Sequence, residues 1–350
     1  MKIFTKLVSF IAIAAIVLAL FSGCSKSSTV TINVFNWGEY IDESILKDFT
    51  KQTGIKVNYE TYATNEEMYE KIKSNTSSYD LICPSDYMAD RMIKEGLLQE
   101  IDFSKLPNYS NIDDKYKGLS YDPQNKYTVP YLWGTIGILY DKTSIKNTID
   151  SWNVLWDKKY KNDIFMSDDM RNSIGISLKR LGYSLNSTKT DEIKKATDEL
   201  LKQKSDINPV YVGDQVKDSM RSGEKHIAVM YSGDAEVLIK ENPNKFAYAI
   251  PKEGSNLWFD AWAIPKSSKH KTETEKFINY LLDAKVNKKN VDYVGYATPN
   301  KATLDLLGDE IKSDKSAYPD KSVLDTCEVF TDLGDARKLY SDAWITITSK

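Results

Sequence analysis

The chain has 350 residues, 41% of them hydrophobic, with 47 basic and 50 acidic side chains and a net charge of −3. That length suggests about two domains, and a mildly acidic balance without a basic block argues against nucleic acid as a partner. Two histidines and three cysteines, none at zinc spacing, argue against a metal site, and no nucleophile elbow, phosphate loop or dinucleotide glycine motif is present, so neither a cofactor nor a catalytic residue is expected.

At the N-terminus Lys2 and Lys6 precede an apolar run over residues 7–21, and Ser22 and Gly23 stand before Cys24. This is the pattern of a secretory signal peptide over residues 1–23. "LFSGC" resembles a bacterial lipobox, with Phe21 where leucine is usual. The match implies a lipidated Cys24, with cleavage elsewhere or an uncleaved anchor as the alternatives. Residues 24–30 then read as a polar, lipidated tether, and the chain is expected outside the cytoplasm, anchored to the outer face of the cell membrane. Without residues 1–23, 327 residues remain, with 45 basic and 50 acidic side chains, a net −5. No second run is long and apolar enough to span a bilayer. Two separately buried thiols are the default for Cys83 and Cys327, and a disulfide is the alternative.

Strand and helix patterns alternate from there on, which predicts an α/β fold. "INVF" opens as a strand. Ile45, Leu46 and Phe49 make one helix face, which Gly54 closes. "IKVNYETY" is a second strand. Thr64 and Glu67 have capping-box spacing ahead of Met68 and Ile72. "YDLICPSDY" is a third strand followed by a helix to Gly96. "YTVPYLWGTIGILYD" reads as a long extended stretch. "DIFMSDDMRNSIGISLKRLG" is strand, loop and helix, with Ile174, Leu178 and Leu181 on one face, and "HIAVMYSGDAEVLIK" repeats that grammar. "FAYAIPKEGSNLWFDAWAIP" is extended again. Thr272 and Glu275 box a further helix, and another lies near residues 336–340. Two sets of strand–helix units joined by extended stretches predict two lobes with more than one crossover. The first is expected over 31–133 plus about 257–298, the second over 134–256 plus about 299–350.

Ligands of open α/β sheets bind at the carboxyl ends of strands. The loops there carry Glu39, Asp86, Asp168, Asp169 and Asp234, with helix capping expected of Asp168 and Asp234. Asp260, in the apolar "LWFDAWAIP", needs a buried partner or faces a cleft. Trp37, Tyr40, Tyr87, Tyr231, Trp258 and Tyr296 sit in or beside the same loops. Core packing explains any one of them, but the group suits an organic cation, because aromatic faces attract cations and cover methylenes. A linear diamine, with charged ends and an aliphatic middle, asks for this combination.

"NWGEYI", "TGIKV", "YDLICPSDYMADRMIKEGLLQEID", "VPYLWGTIGILYD", "KRLGYSLN", "AIPKEGSNLWFDAWAIP" and "GYATPN" occur in this order. Together they resemble the spermidine/putrescine-binding proteins of bacterial ABC transporters over nearly the whole mature chain. The resemblance implies a type II periplasmic-binding-protein fold, two lobes of mixed sheets closing on a polyamine, and a monomer that delivers it to membrane permease subunits with a separate ATPase. Position by position it implies ligand contacts at Trp37, Glu39, Tyr40, Ser85, Tyr87, Asp169, Trp258, Asp260 and Tyr296. Three positions depart from the spermidine-preferring pattern: Asn172 replaces a glutamate, Tyr231 a tryptophan and Phe330 a glutamine. Asn172 keeps an acceptor oxygen without charge, so the balance leans to putrescine or mixed specificity. A binding protein of the same fold for an amino acid, sugar or metal chelate is the first alternative, and an arginine in the cleft, Arg171 above all, would mark it. A hydrolase pairing Glu39 with Asp260 is the second.

Overall fold

The computed structural model describes residues 30–74 and 78–349. The signal segment, Cys24 and most of the tether lie outside the described residues. Among those residues, no helix is long and apolar enough to cross a membrane.

The first strand, β1 (Thr31–Trp37), pairs in parallel with β2 (Lys56–Tyr62) and β3 (Leu81–Ile82). Between them α1 (Glu43–Thr53) buries Ile45, Leu46 and Phe49, as its periodicity predicts. Asp42 accepts from the amide of Ser44 at its start, and Gly54, at φ 75°, closes its end in the left-handed conformation that glycine adopts at no steric cost. Helix α2 (Asn65–Ser74) follows, with Thr64 accepting from the Glu67 amide. Glu67 reaches back to the amide of Ala63, one residue before the box position. Helix α3 (Asp86–Lys94) leaves β3 directly.

The long extended stretch is one strand, β4 (Thr128–Asp141), buried along all 14 residues. Residues 128–135 pair antiparallel with β9 (Leu257–Ala263). Pro130 lacks an amide donor, and the register shifts between it and Leu132, as a bulge requires. From residue 136 on, β4 pairs instead with β7 (Ile227–Tyr231) and β8 (Phe246–Ala249). Strand β7 lies parallel to β5 (Ile164–Ser167), which pairs with β6 (Val210–Val212). The order β2-β1-β3-β9-β4-β7-β5-β6, with β8 beside β4, is therefore one curled, mixed sheet in which β4 serves both halves.

Each half has its own apolar core. Phe49, Trp133, Trp262 and Phe277 belong to the first. Trp152, Ile174, Leu200 and Tyr340 belong to the second. Full burial of each such side chain contributes about 2–3 kcal/mol. The chain after Asn300 divides between them: Leu304, Leu307 and Tyr318 pack on the first core, while the last helix, Arg337–Thr348, places Tyr340 and Ile347 in the second.

Helix α4 (Met170–Arg180) buries Ile174 and Leu178 but ends before Leu181. The 18-residue helix α5 (Thr190–Ile207) and β6, which the patterns above do not single out, complete the second half with α6 (Val216–Ser222) and α7 (Ser232–Glu241). The box expected of Thr272 and Glu275 does not form. Helix α8 (Lys271–Leu281) begins one residue before Thr272, and the buried Glu275 carboxylate accepts from the amide of Asp102 and pairs with Lys271. A carboxylate drawn into the core by a distant backbone donor is not free to turn back as a local cap. Cys83, buried, and Cys327, half-buried, are both free thiols.

Candidate functional site: an acidic, aromatic cleft

The carboxyl ends of β1 and β3 from one half, and of β5, β6 and β7 from the other, converge on a cleft of about 220 Å³. All eleven residues singled out from the sequence line it: Trp37, Glu39, Tyr40, Ser85, Tyr87, Asp169, Asn172, Tyr231, Trp258, Asp260 and Tyr296.

Asp260 sits on β9, where Ser85 bridges to it outside the main ladder. Ser85 Oγ donates to one carboxylate oxygen at 2.6 Å and Tyr40 Oη to the other at 2.7 Å. The side chain is buried, and burial raises its pKa to about 6 although both hydroxyls favour the ionised form. Neither hydroxyl carries charge, so the carboxylate is solvated by dipoles alone.

Aromatic rings stand around that acid. Tyr296 meets Tyr40 edge-on at 5.4 Å and Trp258 at 5.2 Å, and Tyr231 meets Trp258 at 6.0 Å. Two glycines allow the arrangement. A Cβ on Gly134 of β4 would lie 2.7 Å from the Trp258 ring, and one on Gly233 would lie 2.2 Å from the Tyr296 ring. In the first half, at the end of β1, the Trp37 indole donates to the Cys83 carbonyl at 3.0 Å and packs on Tyr62. The Tyr87 phenol donates to Glu66 and accepts from Asn65.

At the far side Asp169 caps α4, accepting from the amide of Asn172 at 2.7 Å. Burial raises its pKa to about 6. The Asn172 side-chain amide donates to Tyr231 Oη at 2.7 Å. The expectation that Asp168 and Asp234 act as caps is therefore corrected. The helix starts one residue later than Asp168 requires, which gives the cap to Asp169. Asp234 lies inside the first turn of α7 and accepts from Tyr296 Oη at 3.0 Å.

Glu39 occupies the mouth. Its backbone is left-handed, at φ 49°, a conformation that costs a non-glycine residue about 1–2 kcal/mol. Its side chain is 75% exposed and is held at 2.7 Å by Lys217 from α6, which also reaches Asp234 at 3.3 Å. The hydrogen bond and charge of Lys217 lower the Glu39 pKa. Burial opposes the charged form of Lys217, but Asp234 and Glu39 outweigh it and its pKa is raised.

Three further lining groups were not singled out as ligand contacts. Asp86 accepts from the amides of Tyr87 and Phe259, and burial, reinforced by the Asp260 charge, raises its pKa to about 8. Its neutral form is thus favoured far more than in an ordinary carboxylate. Asp214, whose pKa is raised by burial and then by Asp234, follows the three-residue β6, and the run "VYVGD" is its only signal in the sequence. Lys217 had no local signal. Arg171, the marker of the anion-binding alternative, does line the cleft, but its terminal nitrogens donate to the Thr331 carbonyl and Asn186 and its guanidinium stacks on Phe330 at 4.2 Å.

A cleft with acids and rings converging between two halves that share one strand defines a protein built to enclose a small solute. Residues 44–319 match the bacterial extracellular solute-binding protein family. The spermidine/putrescine-binding periplasmic protein of Salmonella typhimurium is 39% identical over 94% of this chain and 95% of its own. The substrate-binding protein PotD of a Streptococcus pneumoniae spermidine/putrescine ABC transporter superposes with a TM-score of 0.80 at 38% identity, over 91% of this chain and 99% of its own. The lipoprotein TpPotD of Treponema pallidum superposes with a TM-score of 0.79 at 28% identity, over the same shares. The chain belongs to the bacterial extracellular solute-binding proteins and, within them, to the family of spermidine/putrescine-binding proteins.

Proposed function

We propose that this chain captures a polyamine, putrescine or spermidine, in the cleft and delivers it to the permease subunits of an ABC importer driven by a separate ATPase. It acts as a binding protein and not as a catalyst. The observation that carries the reading is Asp260: a buried carboxylate dressed by hydroxyls, with Trp258, Tyr40 and Tyr296 around it. An ammonium supplies the charge this acid lacks, and the rings cover the methylenes. Four buried methylenes contribute about 3 kcal/mol, and each cation–π contact about 0.5–2 kcal/mol. Micromolar affinity needs only about 8 kcal/mol.

In this reading Asp260 and Asp169 hold the charged ends. Trp37, Tyr40, Tyr87, Tyr231, Trp258 and Tyr296 line the spine, Ser85 and Asn172 complete the polar contacts, and Glu39 closes the mouth. The moving bodies are residues 31–133 with about 257–298, and 134–256 with about 299–350. Within the last span, the packing of Leu304, Leu307 and Tyr318 attaches their segment to the first body. A lipidated Cys24 tethers the monomer to the outer face of the cell membrane, a placement in keeping with the Treponema relative's being a lipoprotein. An anionic solute would have to compete with Thr331 and Asn186 for the terminal nitrogens of Arg171.

Isothermal titration of the mature chain with putrescine and with spermidine at modest salt tests this. Saturable binding of at least one is expected, and no binding of either overturns the reading.

A further inference from the structure

Lys217 brings an ammonium of the protein's own into the cleft. Its Nζ bridges Glu39 Oε2 from the first half and Asp234 Oδ1 from the second, while the second Asp234 oxygen accepts from Tyr296. Two carboxylates with a tyrosine beside them form the environment that a ligand ammonium would seek. The lysine side chain is 21% exposed, well below its partner Glu39, so the amine lies at the inner side of the mouth.

The cleft's other acids are dressed differently. Asp260 accepts from two hydroxyls, and Asp169 from the amide of Asn172. Asn172 adds a neutral amide already bound to Tyr231, and Asp86 takes two backbone amides. Asp260 and Asp169 are thus met by neutral donors alone, while the corner formed by Glu39, Asp234 and the neighbouring Asp214 already holds an ammonium.

On the polyamine reading above, we infer that Lys217 is a specificity-determining residue: it fills the third ammonium position and makes the cleft select a diamine over a triamine. A triamine that spans the cleft must either set its third ammonium beside the Lys217 ammonium or displace that amine from two carboxylates. Like charges at such a distance repel, and a displaced amine leaves its partners unpaired. A diamine meets neither penalty.

Titration calorimetry with putrescine and spermidine on the mature wild type, Lys217→Met and Lys217→Arg tests this at one fixed salt concentration. The wild type is expected to bind putrescine at least about tenfold more tightly than spermidine; the reverse order overturns the inference without any variant. Lys217→Met is expected to improve spermidine binding at least about tenfold while putrescine changes less than about threefold, and Lys217→Arg to keep the wild-type ratio. Lys217→Gln, which keeps a polar stem, replaces the methionine variant if that one does not fold. A Lys217→Met or Lys217→Gln protein that shifts both ligands by the same factor sinks the inference and leaves the polyamine reading standing. A wild type that binds neither amine sinks the reading itself.

Discussion

Asp260 carries a negative charge that Ser85 and Tyr40 orient but do not neutralise. Removing the charge while keeping the shape should leave a ligand ammonium buried without its counter-ion. Asp260→Asn is expected to cost about 3 kcal/mol or more of binding, over about a hundredfold in affinity by calorimetry. The same residue should report on pH. In the free cleft Asp260 and Asp169 both titrate near 6, and an ammonium binds their ionised forms. Putrescine affinity should then fall as pH drops from 7.5 to 5, by about tenfold for each carboxylate. In Asp260→Asn only the Asp169 share should remain. An affinity that is flat across this window, or unchanged in the variant, would remove Asp260 from the ligand's path.

Elements decide whether such residues meet. Gly134 lies in the middle of β4, where the lack of a side chain lets the Trp258 ring lie against the strand. Gly134→Ala should push that ring and Ser232 apart, at an overpacking cost of about 1–3 kcal/mol. Putrescine affinity should drop about tenfold, and tryptophan emission should shift. Unaltered binding and emission would show that the wall tolerates displacement. Much of this scaffold was legible in the sequence. Apolar periodicity marked α1 and α4, extended β-branched runs marked β4 and β9, and acids with rings at strand ends marked nine of the eleven lining residues, while Ser85 and Asn172 came from the family resemblance alone. What stayed hidden had physical reasons. β6 spans three residues and α6 seven, too few for a period to register. "SDD" offers two cap candidates one residue apart, and only the helix start chooses between them. Glu275 has a cap's spacing but is drawn to Asp102, 173 positions away in the chain. Lys217 meets Glu39 across 178 positions, a pairing no local pattern encodes.

For the whole molecule, buried acids set a pH dependence; Asp214 and Glu236 act in the same direction as the three with the largest shifts, Asp169, Asp260 and Asp86. Each of these three has a folded pKa above the ordinary 3.8, at about 6 for Asp169 and Asp260 and about 8 for Asp86. The native state therefore holds more protons than the unfolded chain. Their contribution to stability is present in full below about 4 and is lost as pH rises through about 6 and then about 8. The depressed carboxylates, such as Glu39, are already ionised in both states above pH 5 and add no slope there. The ligand-free chain should melt at a higher temperature at pH 5.5 than at pH 7.5. Putrescine at a hundred times its Kd should raise the pH 7.5 Tm by about 4 °C. Calorimetric scans at the two pH values, with and without ligand, check both signs. A ligand-free Tm that climbs between pH 5.5 and 7.5 would contradict the burial of these charges.

The state of the two thiols has a practical outcome. Cys83 is sealed inside the protein, whereas Cys327 is half-buried, one residue from Glu328, whose backbone bridges to Asn256 at the cleft wall. A soluble form that begins after Cys24 thus presents one partly accessible thiol near the chamber, with a pKa that burial raises, so labelling favours alkaline buffer. An environment-sensitive dye attached there would convert the chain into an optical sensor that needs no added reagent.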